Sequence, residues 1–284
     1  MISLDAASVL LQWATGGLFF LWITTRRREV SLGYGWTMRG TYLLLAAGAS
    51  YVGIFVLEPL PVRDIASVGV TIATGVALAS SIIRRKAGVS GQVALAESRT
   101  ARVAAMTGIE REAAEKDADA KEFDPRLDLV APVIGFVGVV AAALDAGGPQ
   151  WLAVARFVVG ALFLGVITDA MLLGHWYLVQ PGLARGALLE LVDWTMWLWF
   201  PQVALLLVPT GMVSAINGTI NDGYGGLLSW FWVACAVTTI GLLITTRLAL
   251  KERAYSAVMA ATGLLYLAII TAFGTDLVAR ALLS

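Results

Sequence analysis

Residues 7–28 run ASVLLQWATGGLFFLWITTRRR. This is an apolar stretch able to cross about 30 Å of hydrocarbon at about 1.5 Å per residue, closed by three consecutive arginines. An apolar run followed by a basic stop reads as a retained first membrane span; a cleavable secretory signal places its basic residues first. Working outward, seven further runs share this character, at 41–57, 65–83, 129–144, 151–173, 187–208, 227–246 and 254–273. The expected fold class is an all-α integral membrane protein, a bundle of about eight transmembrane helices, with residues 1–284 forming one polytopic membrane domain.

Composition supports this reading. The chain is 58% hydrophobic and 14% charged, against about 45–50% and about 25% for a soluble domain. Zero formal net charge argues against a nucleic-acid partner, which normally meets a basic surplus. Cys235 is the single cysteine, so a disulfide, a CxxC pair and a thiolate-bound cluster within the chain are all excluded. Arginine far outnumbers lysine, and Ala and Gly are abundant, which points to a GC-rich bacterial genome and a bacterial cytoplasmic (inner) membrane location.

The basic residues orient the bundle. The first connection holds Arg26, Arg27, Arg28 and Arg39; the third, 84–128, runs from Arg84 to Arg126; the fifth holds Arg185; the seventh holds Arg247, Lys251 and Arg253. The opposite side receives only Arg63 and Arg280, with Arg156 a turn inside the fifth span and able to snorkel. By the positive-inside rule both termini lie on the non-cytoplasmic side. The 84–128 connection reads as a charged cytoplasmic helical segment, with Glu112/Lys116 and Asp117/Lys121 at pairing distance and Val103, Met106, Ile109 and Ala113 on one stripe. Asp124-Pro125 is an N-cap followed by proline in the first turn of the fourth span. In the external loop 209–226, Asn217-Gly218 between Ala215-Ile216 and Thr219-Ile220 predicts a tight β-hairpin.

A faint echo links 21–26 (LWITTR) to 242–247 (LLITTR), with Ala79-Ser80-Ser81 a looser cousin. A four-plus-four repeat would instead relate the third span to the seventh in the same orientation.

Chemistry concentrates between Asp169 and Asp193, because ionisable residues inside spans are costly and mark sites by default. At 100° per residue Thr168, Met171 and His175 share one face of the fifth span, while Asp169 and Trp176 share another. His175, the only histidine, is able to bond a quinone carbonyl, relay protons or ligate haem with Met171 or Met196. Glu190, Asp193, Trp194 and Trp197 follow i, i+3, i+4, i+7 on the sixth span, where Pro201 interrupts the backbone ladder beside Gln202. The candidate ligand-binding or proton-relay residues are thus Asp169, His175, Trp176, Tyr177, Glu190, Asp193, Trp194 and Trp197. The short connection 174–186 brings His175 and the Glu190/Asp193 face within reach of each other. An interfacial aromatic belt is the plain alternative for Trp176, Tyr177, Trp194 and Trp197.

These residues fit a subunit of a bacterial respiratory-type electron-transfer complex with a quinone or proton-relay pocket, embedded in lipid among other membrane subunits. In span number the chain is similar to the eight-helix quinol-oxidising anchors of bacterial respiratory enzymes. None of their residue motifs is matched, so the likeness is of architecture alone. The alternatives are a proton-coupled small-solute transporter and a purely structural accessory subunit. Quinone is the cofactor most in keeping with the cluster, ahead of haem through His175, and no metal site is expected.

Overall fold

A computed structural model describes residues 5–91, 94, 121–180, 183–208, 211–252 and 254–283. The pair Glu112/Lys116, the Asp117 partner of Lys121 and the stripe Val103, Met106, Ile109, Ala113 lie outside the described residues. The described chain is all-helical, 84% helix without strands. Its α-helices are α1 (Ala6–Thr25), α2 (Leu32–Phe55), α3 (Pro61–Ile83), α4 (Val130–Asp145), α5 (Gln150–Val179), α6 (Gly186–Leu207), the short α7 (Gly211–Ile216), α8 (Leu227–Lys251) and α9 (Tyr255–Leu283).

Among the described residues six helical segments are long and apolar enough to cross a membrane: α1, Pro61–Ala87, Pro125–Asp145, α5, α8 and α9. The helices α2 and α6 are long as well. They are more polar, since α2 carries Arg39 and α6 carries Glu190, Asp193 and Gln202. Expected boundaries shift most in three places. The α2 helix begins before Arg39, so that arginine belongs to a helix and not to the first connection. The α5 helix runs on through His175-Trp176-Tyr177, placing Asp169 nearly three turns from its end. The α9 helix continues past Phe273 to Leu283.

The long helices run alternately up and down, so the chain has a terminal end and an arginine-rich end. They form two sets with the same order of neighbours. The α1 helix packs on α2 and α4, and α3 on α2 and α4; α5 packs on α6 and α9, and α8 on α6 and α9. The sets meet chiefly where α1 crosses α5. This is a four-plus-four arrangement in which α3 corresponds to α8. The 21–26 and 242–247 echo therefore sits on non-corresponding helices. Its hydroxyls do the same local job, Thr24 donating to Phe20 O and Thr246 to Leu242 O, each one turn back.

The crossing is made by small residues. A Cβ on Gly16 would lie 1.7 Å from the Ala161 carbonyl oxygen, and one on Gly165 would lie 2.1 Å from Gly16 C. Backbones touch here with no side chain between them. Such contact replaces the hydrophobic drive that lipid-embedded helices lack.

Ion pairs tie both ends. At the terminal end Arg63 reaches Asp64 and Asp5, each at 2.8 Å. Arg280 pairs with Asp276, and Gln202 Nε2 donates to Asp276 at 2.9 Å. Arg156 does more than snorkel: it donates to Leu205 O (2.8 Å) and Val208 O (3.1 Å), satisfying carbonyls at the C-terminus of α6. At the arginine-rich end Arg39 is buried and donates to both oxygens of Asp128, each at 2.7 Å. Asp124 caps the turn Pro125–Leu129 by accepting from Arg126 N at 3.0 Å, as Asp124-Pro125 predicts.

The expected β-hairpin does not form. Ala215 and Ile216 end the short helix α7, and Gly218 turns the chain at φ 75°. The Asn-Gly signal marks the turn correctly, but the apolar residues before it pack Met212 and Ala215 into the terminal end of the bundle, which favours helix over strand. Beyond the turn, Asp222 accepts from the N–H groups of Tyr224, Gly226, Leu228 and Ser229 and so caps α8. Its hydrogen bonds from Gly226, Tyr224, Ser229 and Leu228 hold the carboxyl below the usual aspartate range. A lowered folded-state pKa stabilises the loop fully above the ordinary value of about 4. That contribution is lost as the pH falls through the lowered value. Amide-exchange protection at Gly226 and Leu228 is expected to decline on acidification below about pH 4, and in Asp222→Ala to be low at every pH.

Candidate functional site

Of the buried aspartates, Asp64 pairs with Arg63, Asp128 with Arg39 and Asp276 with Arg280, while Asp222 accepts from backbone N–H groups. Asp169 is the exception among the described residues. It is fully buried, its Oδ1 accepts a hydrogen bond from the Tyr42 hydroxyl, and its Oδ2 has no hydrogen-bond partner. A carboxylate cannot be buried at this depth as a bare charge; it must carry a proton or hold a cation.

Its surroundings come from both helix sets. Tyr42 extends from α2 across Gly17 of α1, where a Cβ would lie 1.9 Å from the ring, so glycine is required for the phenol to reach α5. Tyr34, one of the largest fully buried side chains, stands two turns along α2, and among the described residues its hydroxyl has no hydrogen-bond partner. Towards the terminal end the site is covered by Thr168, whose hydroxyl accepts from Trp13 Nε1 at 2.9 Å. The Trp13 ring packs edge-on against Phe273 at 4.7 Å.

The remaining candidates spread over three other surroundings. Trp176 shares the Asp169 face, as the 100° spacing predicts; it donates to Ser31 Oγ (2.9 Å) and lies against Tyr34. Tyr177 is buried, and its hydroxyl donates to Ala184 O in the α5–α6 connection. His175 faces outward, with Nδ1 3.0 Å from the Tyr266 hydroxyl of α9. Glu190, Asp193, Trp194 and Trp197 do form one stripe, lining an open groove with Arg27, Gly186 and Leu189. Their carboxylates are engaged: Glu190 by Arg26 (2.8 Å) and Arg27 (2.9 Å), Asp193 by Arg247 (2.5 Å). Trp197 is 72% exposed and Trp194 packs against Phe20. The hydrogen-bond partner of His175 is thus a phenol on α9, and those of Glu190 and Asp193 are arginines. Pro201 lies inside α6, and beside it Gln202, Asp276, Arg280 and Arg156 line a small cavity with Phe157 and Leu206.

Two features escape sequence reading. Tyr42 is an aromatic residue in an apolar run, and no local pattern shows that its hydroxyl meets Asp169, 127 residues away. Arg39 lies near the arginine triplet and reads as one more topogenic charge. Among the described residues no group of three or more His, Cys, Asp and Glu side chains is placed to hold a metal ion. Comparison with family models, curated proteins and solved structures finds no match to this chain.

Proposed function

We propose that this chain is an eight-span protein of the bacterial cytoplasmic membrane, termini outward, that binds and releases a proton at Asp169 and couples this to small-solute transport. The observation that carries the reading is a buried carboxyl with no cation, held at the seam between two like sets of four helices. Transporters built from repeats place coupling-ion sites at the repeat interface, well inside the membrane. The basic flanks support the orientation. In α2 and α6 the polar residues that lower hydropathy are bonded to protein groups: Arg39 to Asp128, Gln202 to Asp276, Glu190 to Arg26 and Arg27, and Asp193 to Arg247. Both helices are therefore compatible with spanning.

Membrane vesicles containing the chain and energised by an acid-outside gradient are expected to take up components of an isotope-labelled small-metabolite extract. Asp169→Asn, nearly isosteric, is expected to lower that uptake by about a hundredfold or more, the loss typical of removing a proton-transfer group. Equal uptake by the variant and the native chain overturns the reading.

The Glu190–Asp193–Trp194–Trp197 groove favours a second reading: a subunit of an electron-transfer complex that receives a quinol beside its exposed indoles, among partner subunits. Aromatic walls with polar groups at one end suit a flat head group on an apolar tail. Under this reading the co-purifying complex oxidises quinol, and Trp197→Ala or Glu190→Gln slows it. Unchanged turnover in both variants excludes the groove.

A further inference from the structure

The terminal end of the bundle divides its charge unevenly between the two helix sets. In the first set one guanidinium, Arg63, meets two carboxylates, Asp64 and Asp5. In the second set two guanidiniums, Arg156 and Arg280, stand with one carboxylate, Asp276, which Arg280 and Gln202 engage. Arg39, Arg63, Arg247 and Arg280 each pair with an acid, whereas among the described residues Arg156 has none within ion-pair distance. Its Nε and Nη2 donate to the carbonyls of Leu205 and Val208 instead. Those carbonyls close α6, and a helix C-terminus carries about half a negative charge. The positive excess is therefore reduced and not removed.

That excess faces a cavity of about 30 Å³ between α5, α6 and α9, with Phe157, Leu206 and Leu283 in its apolar wall. Gly160, one turn along α5 from Arg156, lets the polar groups converge. A Cβ there would lie 2.9 Å from Arg280 Nη2 and 3.8 Å from both Asp276 Oδ1 and Gln202 Oε1. Because Asp276 is already engaged by Gln202 Nε2 at 2.9 Å and by Arg280, the donors left to a guest are the remaining guanidinium N–H groups. A volume of about 30 Å³ equals one water molecule's share of the liquid; it admits one small ion and excludes a tetrahedral oxyanion. A water would satisfy N–H groups without answering the charge. An anion does both, and an apolar wall strengthens the attraction by lowering the local dielectric.

We propose that this cavity binds one small monovalent anion of chloride size, held between the Arg156 and Arg280 guanidiniums at the terminal end of the second helix set. The site makes no use of Asp169 and stands whether or not that carboxyl carries a proton.

The test uses the full chain, purified in detergent in gluconate buffer and titrated with chloride. Exchange with a protein site broadens the chloride NMR signal, and the native protein is expected to broaden it saturably. Bromide is expected to reverse the broadening, and sulfate at equal ionic strength to leave it. Arg156→Gln is expected to weaken chloride binding by about tenfold or more, the loss of one hydrogen bond to a charged group. Arg156→Lys, which keeps the charge, is expected to weaken it less. Ala279→Val keeps both arginines and fills the cavity that Ala279 lines, and is expected to abolish binding. Arg126→Gln, exposed at the opposite end, is expected to bind as the native chain does. Since Arg156 also caps α6, Ala279→Val decides the matter if Arg156→Gln does not fold. A native protein that leaves the signal sharp holds water alone in the cavity and overturns the proposal. Native broadening in Arg156→Gln or Ala279→Val, or broadening that sulfate removes as readily as bromide, overturns it too. None of these outcomes bears on uptake through Asp169.

Discussion

Arg39→Ala is expected to lower the unfolding free energy by about 3–5 kcal/mol, the cost of breaking a buried ion pair from one side. The guanidinium is 2% exposed. It donates to both oxygens of Asp128 at 2.7 Å and to Ser81 Oγ at 3.3 Å, and lies over the Phe123 ring at 4.4 Å. Asp128 also accepts from Thr25 Oγ1 at 3.0 Å. One residue thus joins α1, α2, α3 and the entry to α4. Removing it leaves Asp128 buried, with a single hydroxyl in place of a bidentate cation. The double variant Arg39→Leu/Asp128→Leu removes both charges, and is expected to be less destabilised than either single change. Denaturant unfolding in detergent across this cycle provides the check; additive losses would show that the pair is not coupled.

Gly165→Val is expected to cost more than about 3 kcal/mol, at the upper end of overpacking effects. The added atoms meet the Gly16 backbone, which no rotamer change can move aside. The damage should fall on the seam, loosening α1 from α5 and with it the Tyr42–Asp169 contact. Gly241 and Gly263 provide the contrast, since a Cβ on either meets nothing within 4 Å. Alanine there should be neutral or stabilising by up to about 1 kcal/mol through helix propensity. Thermal unfolding of the four variants, Gly16→Ala, Gly165→Val, Gly241→Ala and Gly263→Ala, should separate into two groups. A Gly165→Val variant as stable as Gly241→Ala would contradict the close crossing.

Much of the architecture is legible in the sequence because membrane partitioning is local. The arginine triplet after Thr25, the Asp124-Pro125 cap and the shared face of Asp169 and Trp176 are read from neighbours a few residues apart, and the structure agrees with them. Helix α5 runs past the expected end at Leu173 because His175, Trp176 and Tyr177 lower hydropathy without ending a helix. The Asn217-Gly218 turn follows a helix instead of a strand because turn chemistry is indifferent to which of the two precedes it.

The candidate site was legible only as a list. Asp169, Glu190 and Asp193 look alike in sequence, each an acid within or at the edge of an apolar run. The structure separates them: Glu190 and Asp193 take arginines from α1 and α8, whereas Asp169 takes a phenol from α2. Arg39 and Asp128 are 89 residues apart, and neither predicts the other.

The order of apolar runs determined by itself that six helices among the described residues are long and apolar enough to cross a membrane, and the basic flanks determined which end of the bundle gathers positive charge. Both depend on each residue's own cost of transfer from water. Which acid remains without a cation was decided only by tertiary structure. Charge neutralisation depends on distances of a few ångströms between helices far apart in the chain, and those distances are set by how closely glycines allow the backbones to approach.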